Sequence, residues 1–326
     1  MQLGIVFTSL LVGILAIGKG SDWFTDSLIP VARKLGVSGV AVGLILVSIA
    51  VSLPEILVAV NAVMLGYPNL SLGVALGSII CNIGLMTGLS AMIKPLRVHK
   101  YIIFRDGIFS IIIPILVFAV GSSGTLTRIE GLAFMLLFIP YVINVFMQER
   151  LANKQQKEKA FREIEIELNL LGFDFGKLKP GWFSFFLGTI VLLFGAQLFS
   201  NTLIQIVKIF PINEAVVGLT IGAIGPSIPN IMAAYKATRK GMGTIAVSET
   251  LGSNIFTLLV TVGFLAFISP VTISKQWIYF DIPVMILMSL MLFIFMMTRR
   301  TISRLEGGIL MGTYILILVI QLFFIK

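Results

Sequence analysis

A single cysteine, Cys81, rules out an internal disulfide, and its apolar surroundings suit a small packing residue. The single histidine, His99, lies between Arg97 and Lys100 with no second imidazole or thiolate to build a zinc site or a catalytic triad. Charge is scarce as well: 12% of the 326 residues are Asp, Glu, Lys or Arg, against 57% hydrophobic. With a mean hydropathy of +1.03, this balance excludes an ordinary soluble domain. The first apolar segment has neither a basic leader nor a small-residue cleavage site, so it is expected to be a mature helix and not a signal peptide.

What the chain has instead is apolar runs of about 20 residues, the length that crosses a bilayer as a helix. Ten are expected, at 2–18, 38–65, 70–93, 102–122, 128–147, 183–207, 214–235, 243–268, 278–297 and 306–325. The expected fold class is therefore an all-α polytopic membrane protein.

A net charge of +9 would suit nucleic acid, but its distribution gives another reason for it. When ten helices alternate in direction, nineteen of the 24 Lys and Arg residues fall on one face, seven of them in the 148–182 loop. By the positive-inside rule that face is cytoplasmic, which places both termini outside and predicts a cell-membrane protein. The loop also holds six acidic residues and reads as a solvated, partly helical cytoplasmic linker.

The sequence repeats itself at an offset of 175. VGLILVSIAVSLPEILVA from Val42 aligns with VGLTIGAIGPSIPNIMAA from Val217, LGSIICNI from Leu76 with LGSNIFTL from Leu251, Asp106 with Asp281, and Gly20 with Gly195. Each copy holds five of the expected helices, and an odd number inserts the second copy upside down. The division is a first repeat at 1–147, a linker at 148–182 and a second, inverted repeat at 183–326. Inverted repeats are a plan of secondary transporters, whose site lies at the midplane where interrupted helices meet.

The polar residues inside these apolar runs point to the same place. Pro54 removes a backbone hydrogen bond, so the turn of Ala50, Val51 and Ser52 is expected to open, and freed carbonyls in hydrocarbon need protein or an ion. Glu55 follows directly, and a carboxylate there carries an insertion cost of about 2.5–3.5 kcal/mol, which marks it as functional. The second copy keeps the break at Pro229, adds Pro226, and has Asn230 opposite Glu55. Ser78 with Asn82, and Ser253 with Thr257, lie one helical turn apart beside a glycine. Either serine alone also fits helix-packing glue. Glu249 extends the second stripe by one turn, or else is a glutamate near the membrane interface. Together Glu55, Asn82, Asn230, Ser52, Ser78, Ser227, Ser253 and Thr257, with the carbonyls of Val51 and Pro226, offer the oxygen ligands that hard cations take. A soft-metal site is not expected, because thiolates and imidazoles are missing.

AVSLPE with GSIICN, and GPSIPN with GSNIFT, resemble the paired alpha repeats of the cation/calcium exchanger superfamily, in particular its small archaeal and bacterial sodium/calcium exchangers. GSDWFTDSLIPVARKLGVS from Gly20 resembles that family's first-helix segment. The resemblance implies electrogenic exchange of Na+ for Ca2+ by alternating access, with the first two helices of the bundle sliding across a fixed site and no cofactor. It implies Glu55 as principal Ca2+ ligand with Ser52, the Val51 carbonyl, Ser78 and Asn82. Ser227, Asn230, Ser253, Thr257 and the Pro226 carbonyl would form the other half. The chain departs from the pattern where Asn230 replaces a glutamate and Thr257 an acidic or amide residue. A lone carboxylate leaves bound Ca2+ at net +1, which also suits H+ or a monovalent cation as the coupling ion on the same scaffold. A non-transporting membrane scaffold is the remaining alternative, disfavoured by the buried charge.

Overall fold

In a bilayer only a helix satisfies its own backbone within one segment, and the chain folds accordingly. The computed structural model describes residues 2–34, 40–151, 176, 178–210 and 212–324. Its helices are α1 (Gln2–Lys34), α2 (Val40–Met64), α3 (Pro68–Ile93), α4 (Lys100–Gly121), α5 (Arg128–Leu151), α6 (Trp182–Ile209), α7 (Glu214–Arg239), α8 (Gly243–Ile268), α9 (Trp277–Met297) and α10 (Arg304–Phe324). Among the described residues nine of them are long and apolar enough to cross a membrane, and α2 contributes a shorter apolar stretch, Ser48–Met64. The protein is an all-α, multi-pass membrane protein. Most of the 148–182 linker lies outside the described residues.

One expected boundary is wrong. The first helix does not stop near residue 18 but runs to Lys34, so Lys19 lies mid-helix. The polar stretch GKGSD stays helical because its charges and hydroxyls are satisfied locally. Lys19 Nζ meets Asp22 Oδ2 at 2.6 Å one turn on, and the Thr25 and Ser27 hydroxyls donate to the carbonyls of Ser21 and Trp23. Such short-range bonds remove the penalty for polar groups in an apolar helix.

The proline turns also differ from expectation. α2 passes through Pro54, and α7 through Pro226 and Pro229, without leaving helical conformation. Irregularity appears instead as π-helical turns, at Asn82–Thr87 in α3, Ile103–Gly107 in α4, Gly218–Gly222 in α7, Thr257–Thr261 in α8 and Trp277–Asp281 in α9. Such widened turns occur often at functional sites.

The 175-residue offset recurs in three dimensions. The π turns of α3 and α8 start at Asn82 and Thr257. Short strands β1 (Leu96–Arg97) and β3 (Val271–Thr272) are spaced identically; β1 pairs antiparallel with β4 (Thr301–Ile302), and β3 with β2 (Thr125–Leu126). Each half thus clasps a strand of the other. The longest interface, α1 against α6, obeys the same rule. A Cβ on Gly195 would meet Ile17 N at 2.6 Å, and one on Gly20 would strike the backbone of Leu192, the residue at the same offset from Ile17. Backbone lies on backbone here, which only glycine allows.

α3, α7 and α8 form the buried centre, while α1, α5 and α10 turn most of their surface outward, where Phe7, Ile129 and Phe323 face the lipid. A substitution at the α1–α6 seam tests this packing. Gly195→Leu should destabilise the protein by about 1–3 kcal/mol, the usual penalty of overpacking, and lower its unfolding temperature in detergent. Gly312→Leu, where a Cβ meets open space, should leave it unchanged.

Candidate functional site

Every residue expected at the site is buried, Glu249 at 3% exposure among them. The centre is Glu55 on α2, at 1% exposure. Ser227 Oγ donates to its Oε1 at 2.6 Å from α7, while the Ser78 hydroxyl on α3 donates to the Ala75 carbonyl at 2.9 Å. Asn230 Nδ2 donates to the Val51 carbonyl at 3.1 Å, so a carbonyl beside the proline turn is taken by the residue opposite Glu55. Ser52 and Ser253 share a hydrogen bond of 3.0 Å between α2 and α8. Nearby, Asn82 Nδ2 donates to Asn254 Oδ1 at 3.3 Å.

Four helices, α2, α3, α7 and α8, are thus cross-linked between the two halves of the chain. Thr257 is buried at the first position of its π turn, where its hydroxyl has no partner. Pro226 is buried in α7 one residue before Ser227. Glu249 is buried in α8 one turn before Ser253.

Asn254 escaped the sequence reading. Its counterpart at the repeat offset is Ile79, so the repeat gives no signal there. The pairing of Thr87 with Thr250, at 2.6 Å between α3 and α8, was hidden for a related reason: lone threonines in apolar helices are common. Position 250, one turn before 254, was the available hint.

What these groups leave unsatisfied defines the chemistry. Glu55 Oε2, Asn82 Oδ1 and Asn230 Oδ1 are buried acceptors without a partner, against the Asn254 Nδ2 donor and the Thr257 hydroxyl, which can donate or accept. A buried polar atom without a partner is destabilising. A surplus of acceptors is cancelled by something that brings positive charge and no lone pairs. A hard cation held by carboxylate, amide and hydroxyl oxygens fits this donor set. Among the described residues no Lys or Arg forms an ion pair with Glu55, so the positive charge has to enter from outside.

Acceptor oxygens converging from proline-bearing and π-bulged helices inside a membrane bundle define a membrane cation antiporter. The profile of the Sodium/calcium exchanger protein family matches residues 5–147 and 180–323, and the chain belongs to that family. It is 30% identical to Sodium/calcium exchanger MaX1 of Methanosarcina acetivorans, over 98% of this chain and 99% of the relative. It is 29% identical to Inner membrane protein YrbG of Escherichia coli, over 94% and 93%. The solved structure of the sodium-calcium exchanger NCX_Mj soaked with 10 mM Na+ and zero Ca2+ superposes with a TM-score of 0.64 and 26% identity, covering 96% of this chain and 98% of that one.

Removing the charge at the centre should disable binding. For Glu55→Gln, loss of a unit attraction at contact distance removes about 3–4 kcal/mol, a weakening of about a hundredfold or more in Kd. Isothermal titration of the purified protein with Ca2+ and with Na+ measures it, and wild-type affinity in the variant would place the site elsewhere. Glu249→Gln, titrated alongside, weakens binding only where Glu249 lines the same site.

Proposed function

We propose that the protein is a secondary-active antiporter that exchanges Na+ for Ca2+ by alternating access, with one midplane site shared by the two repeats. The observation that carries this is the group of buried, unpartnered acceptor oxygens around Glu55, drawn from both halves of the chain. In this reading 1–147 and 183–326 are inverted five-helix units, with α2 as the tenth span. The 148–182 linker is cytoplasmic and both termini are outside. Ser52, Ser78, Asn82, Ser227, Asn230, Ser253 and Thr257 are neutral oxygen ligands with the Val51 and Pro226 carbonyls, and Glu249 stands one turn further along α8. Glu55 supplies the charge.

The ion cycle follows from electrostatics. Na+ leaves the Glu55 site neutral and Ca2+ leaves it at +1, so the two ions compete for one carboxylate with different residual charge. Empty, the site retains a buried negative charge that disfavours crossing the bilayer unloaded. This couples the two fluxes without further machinery.

The single carboxylate also favours a second reading, in which Glu55 alternates between a proton or monovalent cation and the transported ion. Purified protein in liposomes, assayed for radiolabelled Ca2+ uptake under an outward Na+ gradient with and without a pH gradient, separates the two. Na+-driven uptake is expected; its absence at every Ca2+ concentration overturns the first reading, and flux that follows only the pH gradient establishes the second. Asn230→Glu restores a second charge opposite Glu55 and should tighten Ca2+ binding by about tenfold or more. Unchanged affinity would mean that charge is not what limits the site.

A further inference from the structure

A second buried carboxylate lies away from the Glu55 site, near the start of α9. Asp281 is 0% exposed and Gln321 of α10 is 1% exposed; Gln321 Nε2 donates to Asp281 Oδ1. The two remaining oxygens of the pair, Asp281 Oδ2 and Gln321 Oε1, are both buried and both without a partner. They are acceptors, so neither satisfies the other, yet they belong to groups already hydrogen-bonded.

The first repeat shows how the same position is neutralised elsewhere in the molecule. Asp106, at the 175-residue offset, has both oxygens occupied. Arg105 Nε and Nη2 donate to Oδ1 and Oδ2 at 2.7 Å each, and Tyr141 Oη donates to Oδ1 at 3.2 Å. In the second repeat Phe280 stands where Arg105 does. The carboxylate was kept while its counter-charge was not.

Among the described residues no basic side chain takes the place of the arginine at Asp281. On the packed elements, Tyr314 of α10 and Cys81 of α3 are uncharged, and among the described residues no Lys or Arg forms an ion pair with Asp281. Glu214, Lys275 and Tyr279 lie at the same end of the bundle, with Tyr279 77% exposed. The charged groups on the other packed elements sit at the far end of α9, where Gly107 meets Phe293 and Met296. These are Arg105, Asp106, Arg299, Arg300, Arg304 and Glu306, about 20 Å away along the helix.

We propose that Asp281 is a proton-binding site distinct from the cation site, in which the acid O–H at Oδ2 donates to Gln321 Oε1 while Gln321 Nε2 donates to Oδ1. One proton then satisfies both orphaned oxygens and closes a two-bond acid–amide ring. A metal cation fits less well, because the protein offers it two oxygens while the Gln276 amide nitrogen, also buried and unpartnered, presents a donor on the same cluster. Gln276 itself touches the helix that carries part of the cation site: its Oε1 accepts from Asn213 Nδ2 at 3.4 Å, and Asn213 Oδ1 caps the N-terminus of α7 by accepting from Ala215 N at 2.9 Å.

Infrared difference spectroscopy tests this on the full-length chain in lipid vesicles, in a Glu55→Gln background so that the site carboxylate is silent. The expected result is a protonated-carboxyl C=O band at neutral pH that Asp281→Asn removes, an exchange that keeps the shape and pairs amide with amide. Gln321→Leu keeps the acid and breaks the ring, and should shift the same band to the frequency of an unbonded acid, which provides the answer should Asp281→Asn fail to fold. A band unchanged by either substitution overturns the proposal. So does a carboxylate signal from Asp281 that moves on adding Na+ or Ca2+, which would make the group a cation ligand.

Discussion

Glu55 sits at 1% exposure in a bundle whose surroundings are hydrocarbon, and most of the arrangement around it answers to that charge. A carboxylate there is tolerable only when hydrogen bonds and an opposite charge meet it. Ser227 reaches it from the other half of the chain, which requires α2 and α7 to cross closely. α7 is held in the same centre by its contact with α3, where glycine lets backbone approach backbone: a Cβ on Gly77 would meet Leu219 Cα at 2.7 Å, and one on Gly73 would meet the Ala215 carbonyl at the same distance. Hydrogen bonds alone leave the charge uncompensated, and under the proposed function a mobile cation completes the site. On that reading the group that is hardest to bury is the one that makes an ion part of the folded bundle.

The sequence made much of this legible, and particular residues explain where it stopped. Helix number and register follow from apolar runs, because hydrocarbon forces a run of that length into a helix. Glu55, Asn82, Ser52 and Ser227 stood out because polar groups are rare in such runs and because the repeat sets a polar residue opposite each of them. The end of α1 did not, since Lys19 and Asp22 neutralise one another within a turn and a local ion pair looks in sequence like two charges that end a span. The proline turns misled in the opposite direction. Proline predicts a lost hydrogen bond, but the sequence does not say that Asn230 will supply one to Val51. The π turns at Asn82 and Thr257 had no local signature at all, because φ and ψ within them remain close to helical.

The two halves differ in charge far more than in shape. Pro54 and Pro229, Gly20 and Gly195, the π turns of α3 and α8 and the strands that clasp across the halves all recur at one offset. Each of these fixes backbone geometry, and the halves interlock so closely that a change in one copy would be felt by the other. Glu55 against Asn230, and Arg105 against Phe280, do not recur. They fix charge, and charge can change in one copy so long as something else restores neutrality.

That distinction says what kind of variation such a scaffold tolerates. Replacing a carboxylate by an amide of similar volume preserves packing, so the fold does not resist it; what changes is the valence of the ion that leaves the site nearest to neutral. Replacing the arginine beside Asp281 removes the fixed cation and leaves a place that only a mobile one, the proton at smallest, can fill. In the first case the residual charge of the loaded site changes; in the second a fixed counter-charge is missing. The repeat accommodates both, since the other copy continues to hold the shape in which the altered copy has to work.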